Sequence, residues 1–81
     1  MANYNTEITF EIKEHFGVIN PNNNGGWSKE VNFVSWNDKP PKFDIRDWDA
    51  NHERMSRGIT LCEEDAKKLY EILDSVFNSE K

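Results

Sequence analysis

The chain has 81 residues, of which 36% are hydrophobic, and a formal net charge of −5. This length allows one small domain, residues 1–81, and a single cysteine excludes an intramolecular disulfide, so self-association is the expected support for a marginal core. The apolar runs are too short to cross a membrane and the polar N-terminus does not resemble a signal peptide, which favours a cytoplasmic protein.

The first predicted element is a strand in which apolar residues occupy even positions from Ile8 to Val18. Such alternation is typical of a strand with one buried face. Glu14 is the departure from this alternation. The segment 20–26, rich in Asn and Gly, then predicts a hairpin loop.

The remaining elements follow in a simple order. Residues 27–36 and 42–48 predict the second and third strands, which are separated by a proline-containing turn. Residues 49–57 predict a loop, and 58–61 a short fourth strand. The apolar period then changes to that of a helix over 63–77. The predicted order is four strands followed by one helix.

The apolar stripe of the helix is about 160° wide, more than the roughly 100° that one packed face needs. A four-stranded sheet also leaves two unpaired edges. Both features favour a two-fold homodimer formed through helix 63–77 over a monomer in which the first strand covers the stripe. The stripe residues are Ala66, Leu69, Tyr70, Ile72, Leu73, Val76 and Phe77.

The third strand has two chemically different faces. Alternation places Phe43 and Ile45 on one face, and Lys42, Arg46 and Trp48 on the other. Aromatic rings stack on nucleobases and cations contact phosphates, so an exposed face of this kind suits single-stranded nucleic acid.

The second strand extends the same theme. Asn32 and Trp36 fall on the polar and aromatic face. Strict alternation directs Trp27 and Lys29 toward the core, whereas a bulge would turn them outward, and the sequence leaves both arrangements open.

An alternative interpretation gives this face no ligand. In that case residues 49–57 cover Trp36 and Trp48, and Arg46 forms an ion pair with Asp44 or Asp47.

Catalytic and metal-binding patterns are not evident. Cys62 has no second thiol, and His15 and His52 lack the paired spacing of zinc ligands. No nucleophile and base can be assembled from the sequence. We therefore expect a binding protein that is not an enzyme and uses neither a metal nor another cofactor.

Three segments together resemble one family: 33–38, 42–48 and 58–64. They are similar to the strand–turn–strand, the Asp-Ile-Arg strand and the Gly-Ile-Ser-Leu helix start of the transcriptional coactivator positive cofactor four family, most closely its bacterial YdbC-like branch. The resemblance covers residues 26–77. It implies an α+β fold, a curved antiparallel four-stranded sheet followed by one C-terminal helix (ββββα), and an intertwined homodimer.

The resemblance also implies sequence-independent binding of single-stranded DNA across the β-surface, in transcription, replication or repair, with nucleoid association as one location. It assigns contacts to Arg46 and to the aromatic Trp48 that follows it. It also assigns contacts to Asn32 and Trp36 of the second strand and to the basic loop residues Arg54 and Arg57. The complete predicted nucleic-acid-binding set is Trp27, Lys29, Asn32, Trp36, Lys42, Arg46, Trp48, Arg54 and Arg57.

The chain departs from the family pattern on its second strand, where Glu30 and Asn32 stand in place of basic residues of eukaryotic members. This substitution predicts fewer phosphate contacts. Two other hypotheses stay open: a protein-interaction adaptor that uses the sheet face or edge, and a protein that binds single-stranded RNA, since stacking and phosphate contacts do not read the sugar.

Overall fold

The computed structural model describes residues 8–23 and 25–78; residues 1–7, 24 and 79–81 of the predicted domain lie outside the described part. The strands form one antiparallel sheet in the order β1-β2-β3-β4, so that each strand pairs with its neighbours in sequence. The predicted α+β class and ββββα order are confirmed. The elements are β1 (Phe10–Asn23), β2 (Trp27–Trp36), β3 (Lys42–Trp48), β4 (Met55–Leu61) and α1 (Glu63–Asn78).

Two predicted boundaries are wrong. β1 continues through Asn23, because the loop-like segment still pairs with β2, and Gly25 and Gly26 form a turn with positive φ angles. β4 begins at Met55, three residues before the apolar run that predicted it. Met55 pairs with Trp48 after a register shift in β3–β4. Apolar alternation does not reveal a strand that starts this way.

β1 is irregular against β2. Its pairing shifts between residues 12 and 14, 15 and 17, 18 and 20, and 20 and 23. Each shift adds at least one residue to β1, and such bulges bend a strand and increase its twist. The first shift coincides with the break in alternation at Glu14. The bulges therefore account for the curvature of the sheet at this edge.

The face of the sheet that meets α1, here called the helix side, is apolar. Phe33 and Phe43 lie 5.1 Å apart between ring centres, and Phe16 lies 5.5 Å from Phe43. Ala66 and Leu69 of α1 are half-buried. They line an apolar groove of about 310 Å³ between helix and sheet, together with Ile19, Val31, Phe43, Ile45, Leu61, Tyr70 and Leu73.

The opposite face, here called the groove side, holds the most deeply buried side chains. Val34 and Trp48 are both 0% exposed. Phe10 of β1 packs against both tryptophans of this face, since its ring centre lies 5.2 Å from that of Trp48 and 5.8 Å from that of Trp36. Among the described residues, no helix is long and apolar enough to cross a membrane.

Candidate nucleic-acid interface

An open groove of about 470 Å³ lies on the groove side of the sheet. Trp36 from the end of β2 and Arg46 from the middle of β3 meet in it, and Arg57 of β4 stands at its border. Three of the predicted residues, one aromatic and two basic, are thus brought together at this point. The groove is lined by Ile8, Trp36, Arg46, Met55, Ser56, Arg57 and Thr60.

Arg46 is held in place by a buried carboxylate. Its Nε and Nη2 atoms donate to the two carboxylate oxygens of Asp44 at 2.6 and 2.8 Å, in a bidentate pair. Nη1 donates to the carbonyl oxygen of Ser56 at 3.4 Å, and Nη2 also reaches the hydroxyl of Thr60 at 3.4 Å. Asp44 is fully buried, whereas the Arg46 side chain keeps 13% of its surface exposed. The guanidinium is therefore oriented before any ligand arrives.

Gly58 makes room for this arrangement. It pairs with Arg46 across the β3–β4 ladder. A Cβ at this position would collide with the Cβ of Arg46 and the carbonyl oxygen of Ile45, and would lie 2.9 Å from the Arg46 Nε. The absence of a side chain lets Arg46 lie over β4.

Trp36 is half-buried and packs against Arg46. The guanidinium carbon lies 4.7 Å from the ring centre, a cation–π contact. The indole Nε1 atoms of Trp36 and Trp48 are buried, and each is without a hydrogen-bond partner in residues 8–23 and 25–78. The geometry of the groove is that of a stacked aromatic and cationic pair.

The expectation that Trp48 and Asn32 lie on an exposed face is wrong for the protomer. Both are 0% exposed. Trp48 is covered by Phe10 and by the ring of His52, whose centre lies 5.7 Å away. Asn32 bonds with the side chains of His15 and Glu30. Alternation placed them on the correct side of the sheet, but other parts of the chain cover them.

Lys29 and Trp27 lie on the other side of the sheet from Arg46. The β2–β3 ladder is regular from Ser28 to Val34, so Lys29 shares the helix side with Phe33 and its Nζ lies 3.7 Å from the Asp47 carboxylate. Trp27 precedes Lys29 by two residues in the same strand and falls on the same face. The outward-turning bulge is absent from β2 because the bulges belong to β1.

Three predicted basic residues are exposed. Arg57 lines the groove, and Lys42 begins β3 on the face of Asp44 and Arg46. Arg54 belongs to the connection between β3 and β4. Of these three cations, Arg57 is the one that lines the groove, while the central cation of the groove, Arg46, is already paired with Asp44.

A polar cluster beside the groove, on the same face of the sheet, was not predicted from the sequence. Glu30, 4% exposed, accepts hydrogen bonds from Ser28, from the Asn32 amide at 3.2 Å and from His52 Nε2 at 2.9 and 3.1 Å. His15 Nδ1 lies 2.7 Å from the Asn32 carbonyl oxygen. Glu30 and Asn32 stand out in the sequence as departures from the family, but the two histidines reach them only through the fold.

Hydrogen bonding keeps Glu30 ionised. Burial raises the pKa of Glu30, but the bonds from Ser28, His52 and Asn32, with the charge of His52, outweigh burial and lower it below the ordinary value of 4.5. His52 reaches the carboxylate from a left-handed conformation, with φ of 57°. The carboxylate of Glu30 is thus enclosed by side chains from two strands and a loop.

The loop that carries His52 is held by Asp49. Its carboxylate accepts the backbone N–H groups of Glu53 and Arg54 at 2.9 and 3.0 Å. The bond from Arg54 is the main reason why the pKa of Asp49 lies below its ordinary value. This closed turn fixes the position from which His52 enters the cluster.

The sequence was compared with known proteins. Residues 23–72 match the family described as Transcriptional Coactivator p15 (PC4). An uncharacterized protein of Treponema pallidum (strain Nichols) is 33% identical over 72 residues, which cover 89% of this chain and 84% of that protein.

The curved sheet with its single helix and basic, aromatic groove defines a nucleic-acid-binding class of protein. The chain belongs to the transcriptional coactivator p15 (PC4) family, and the resemblance seen in the sequence is confirmed. Single-stranded DNA binding is the general property of this family, which is not a family of enzymes.

Proposed function

We propose that the protein, as one domain of residues 1–81, binds single-stranded DNA without sequence preference through the groove on the groove side of the sheet. The observation that carries this proposal is the guanidinium of Arg46 stacked on Trp36 within an open cavity. Any nucleobase can extend such a stack, since every base has a flat π-face. The proposed setting is transcription, replication or repair, on nucleoid DNA in the cytoplasm.

The proposed contacts divide by chemistry. Trp36 and the plane of the Arg46 guanidinium receive bases, while Arg57, Lys42 and Arg54 contact phosphates. Arg46 adds a phosphate contact by exchanging its bonds to Ser56 and Thr60, each 3.4 Å long, for bonds to a phosphate. Asp44 neutralises part of the positive charge of Arg46. This limits the attraction of the groove for phosphates, so that a bound strand can also be released.

Two of the predicted contact residues are buried, and in this proposal they support the groove and do not contact DNA. Trp48 and Asn32 lie beneath the groove side and are inaccessible in the protomer. Trp27 and Lys29 belong to the helix side and are left out of the proposed contact surface. The interface is thus smaller than the one expected from the sequence.

The proposed active form is a homodimer through α1 and the helix side of the sheet. The radius of gyration of 15.0 Å exceeds the roughly 12 Å of a compact domain of this length, so the protomer is extended. Large apolar side chains remain exposed on α1, on β1 and at Ile59. Such a surface is larger than monomeric proteins usually expose, and a second copy offers the same surface for pairing. The exposed residues of this surface are Phe16, Ile19, Ile59, Tyr70, Ile72, Leu73, Val76 and Phe77.

The test is titration of a labelled oligothymidine with the full chain, followed by fluorescence anisotropy at several salt concentrations. About four phosphate contacts per protomer give a slope of log affinity against log salt near −2.8, at about 0.7 per contact. Arg57→Ala should make that slope shallower by about 0.7, whereas Lys67→Ala on α1 should leave it unchanged.

Competition between the labelled strand and other nucleic acids shows which results would contradict the proposal. A duplex that competes as well as the single strand would contradict the proposal, because paired bases cannot stack in the groove. Tighter binding of oligouridine would make RNA the ligand. If neither nucleic acid binds, the proposal fails and the adaptor hypothesis replaces it.

A further inference from the structure

A second cavity, of about 280 Å³, lies on the groove side and is lined by Ile12, His15, Glu30, Asn32 and His52. Glu30 lies directly opposite Arg46 in the β2–β3 ladder, so this cavity, here called the histidine cavity, adjoins the proposed DNA groove on the same face. The His15 and His52 side chains are 50% and 41% exposed. Both imidazoles are therefore within reach of a ligand on this face.

The hydrogen bonds determine which ring nitrogen of His15 is available. The Asn32 amide nitrogen donates to Glu30, so the Asn32 oxygen is the atom that faces His15 and can only accept. His15 Nδ1 must then carry a proton and donate it. Nε2 is left to accept a hydrogen bond in the neutral ring, or to donate one in the protonated ring.

His52 is fixed in the complementary way. Its Nε2 lies against both oxygens of the ionised Glu30 and donates to them. Nδ1 is the nitrogen that gains a proton when the ring becomes charged. In both residues, protonation thus adds an N–H donor without breaking the bonds that hold the ring.

The surrounding charges decide how the histidine cavity acts on a phosphate. β2 contributes the carboxylate of Glu30, and Asp49 in the loop interacts electrostatically with His52. β3 contributes Arg46, which Asp44 neutralises, and β1 contributes His15. With neutral imidazoles the carboxylate of Glu30 repels a phosphate, while two protonated rings offset the charges of Glu30 and Asp49 and remove that repulsion.

We propose that the histidine cavity is a proton-dependent phosphate site that extends the DNA groove: protonated His15 and His52 donate N–H groups to the phosphodiester backbone of the bound strand. This inference rests on the proposed function. It makes the affinity for single-stranded DNA rise on acidification, because each added proton supplies a charged N–H donor to the bound phosphate backbone. Glu30 stays ionised there and holds both rings in position.

The experiment measures oligothymidine affinity at constant ionic strength at about pH 8 and about pH 5.5, where thymine itself does not change charge. The wild-type protein should bind about tenfold more tightly at the lower pH and show a steeper salt dependence, as two added phosphate contacts require. The double variant His15→Asn, His52→Gln keeps an amide donor near each inner nitrogen but cannot become charged. It should match wild type at the higher pH and lose the gain at the lower one.

The possible results distinguish failure of the proton-dependent phosphate site from failure of the proposed function. Binding of equal strength at both pH values, or a gain that persists in the double variant, overturns the phosphate site and leaves DNA binding intact. No binding at either pH overturns the proposed function. If the double variant does not fold, NMR titration of the wild-type imidazoles decides: bound oligothymidine should raise the midpoints of His15 and His52, and unchanged midpoints overturn the inference.

Discussion

The guanidinium of Arg46 lies 4.7 Å from the ring centre of Trp36, so two residues from different strands form a single stacked unit. The bidentate pair with Asp44 fixes the cation, and the cation covers part of the indole. The groove is consequently preorganised, which lowers the entropic cost of ordering these side chains on binding.

Trp36→Ala should weaken oligothymidine binding by about 1–3 kcal/mol without changing the salt slope, since the indole contacts a base and not a phosphate. Trp48→Phe is the comparison. It should leave affinity unchanged but lower the free energy of unfolding by about 1–2 kcal/mol, because Trp48 is buried. Anisotropy and urea unfolding measure the two quantities. A loss of affinity in folded Trp48→Phe equal to that of Trp36→Ala would show that Trp48 contacts the ligand.

Asp44→Asn should strengthen DNA binding while weakening the fold. The change removes the negative charge beside Arg46, which then becomes available to phosphate and steepens the salt dependence. The free energy of unfolding should fall by about 1–3 kcal/mol, because the buried cation loses its counter-charge. Asp74→Asn removes the same charge from α1 and should alter neither. Unchanged affinity in Asp44→Asn would place Arg46 outside the contact surface.

Gly58→Ala should destabilise the protein by about 1–3 kcal/mol, because the added methyl group collides with Arg46 and with the β3 backbone. Gly17→Ala is a matched control, since nothing lies within 4 Å of a Cβ at that position. Urea unfolding of both variants measures the difference. Equal stability of the two would mean that β4 shifts away from β3 without cost.

Stability should decline in acid through Glu30. Its pKa is lowered in the fold below 4.5, so the unfolded chain binds more protons in the interval between the folded and unfolded values. The stabilisation is complete above about pH 4.5 and is lost as the pH falls through the folded value. Glu30→Gln should flatten this part of a melting-temperature profile measured by circular dichroism, whereas Glu71→Gln on α1 should not. An unaltered acid limb in Glu30→Gln would contradict the role of the cluster.

Phe77→Asp should dissociate the proposed dimer, because Phe77 is 77% exposed in the protomer and an aspartate there would be buried without a partner on association. Ser75→Asp adds the same charge to the polar side of α1 and should leave the assembly intact. Sedimentation equilibrium measures the mass of each. A wild-type protein that sediments as a monomer would contradict the dimer directly.

The strand and helix order follows from the sequence by itself, because the periods of apolar residues are local properties of the chain. The same alternation separates Phe43 from Arg46 on opposite faces of β3 and places Trp36, Arg46 and Trp48 on one side. Motifs in the sequence were sufficient to predict the family. These features depend on residues close in sequence, so no knowledge of the tertiary structure is needed to find them.

Only the tertiary structure decides which of those side chains stays accessible. Trp48 is buried because Phe10 from the distant β1 and His52 from the loop after β3 pack against it. Lys29 lies away from the groove because the bulges are in β1 rather than β2. His15 and Glu30 meet because β1 pairs with β2 and brings these two side chains together. A period assigns a side chain to a face, whereas its exposure and its partners depend on long-range packing that a local pattern does not contain.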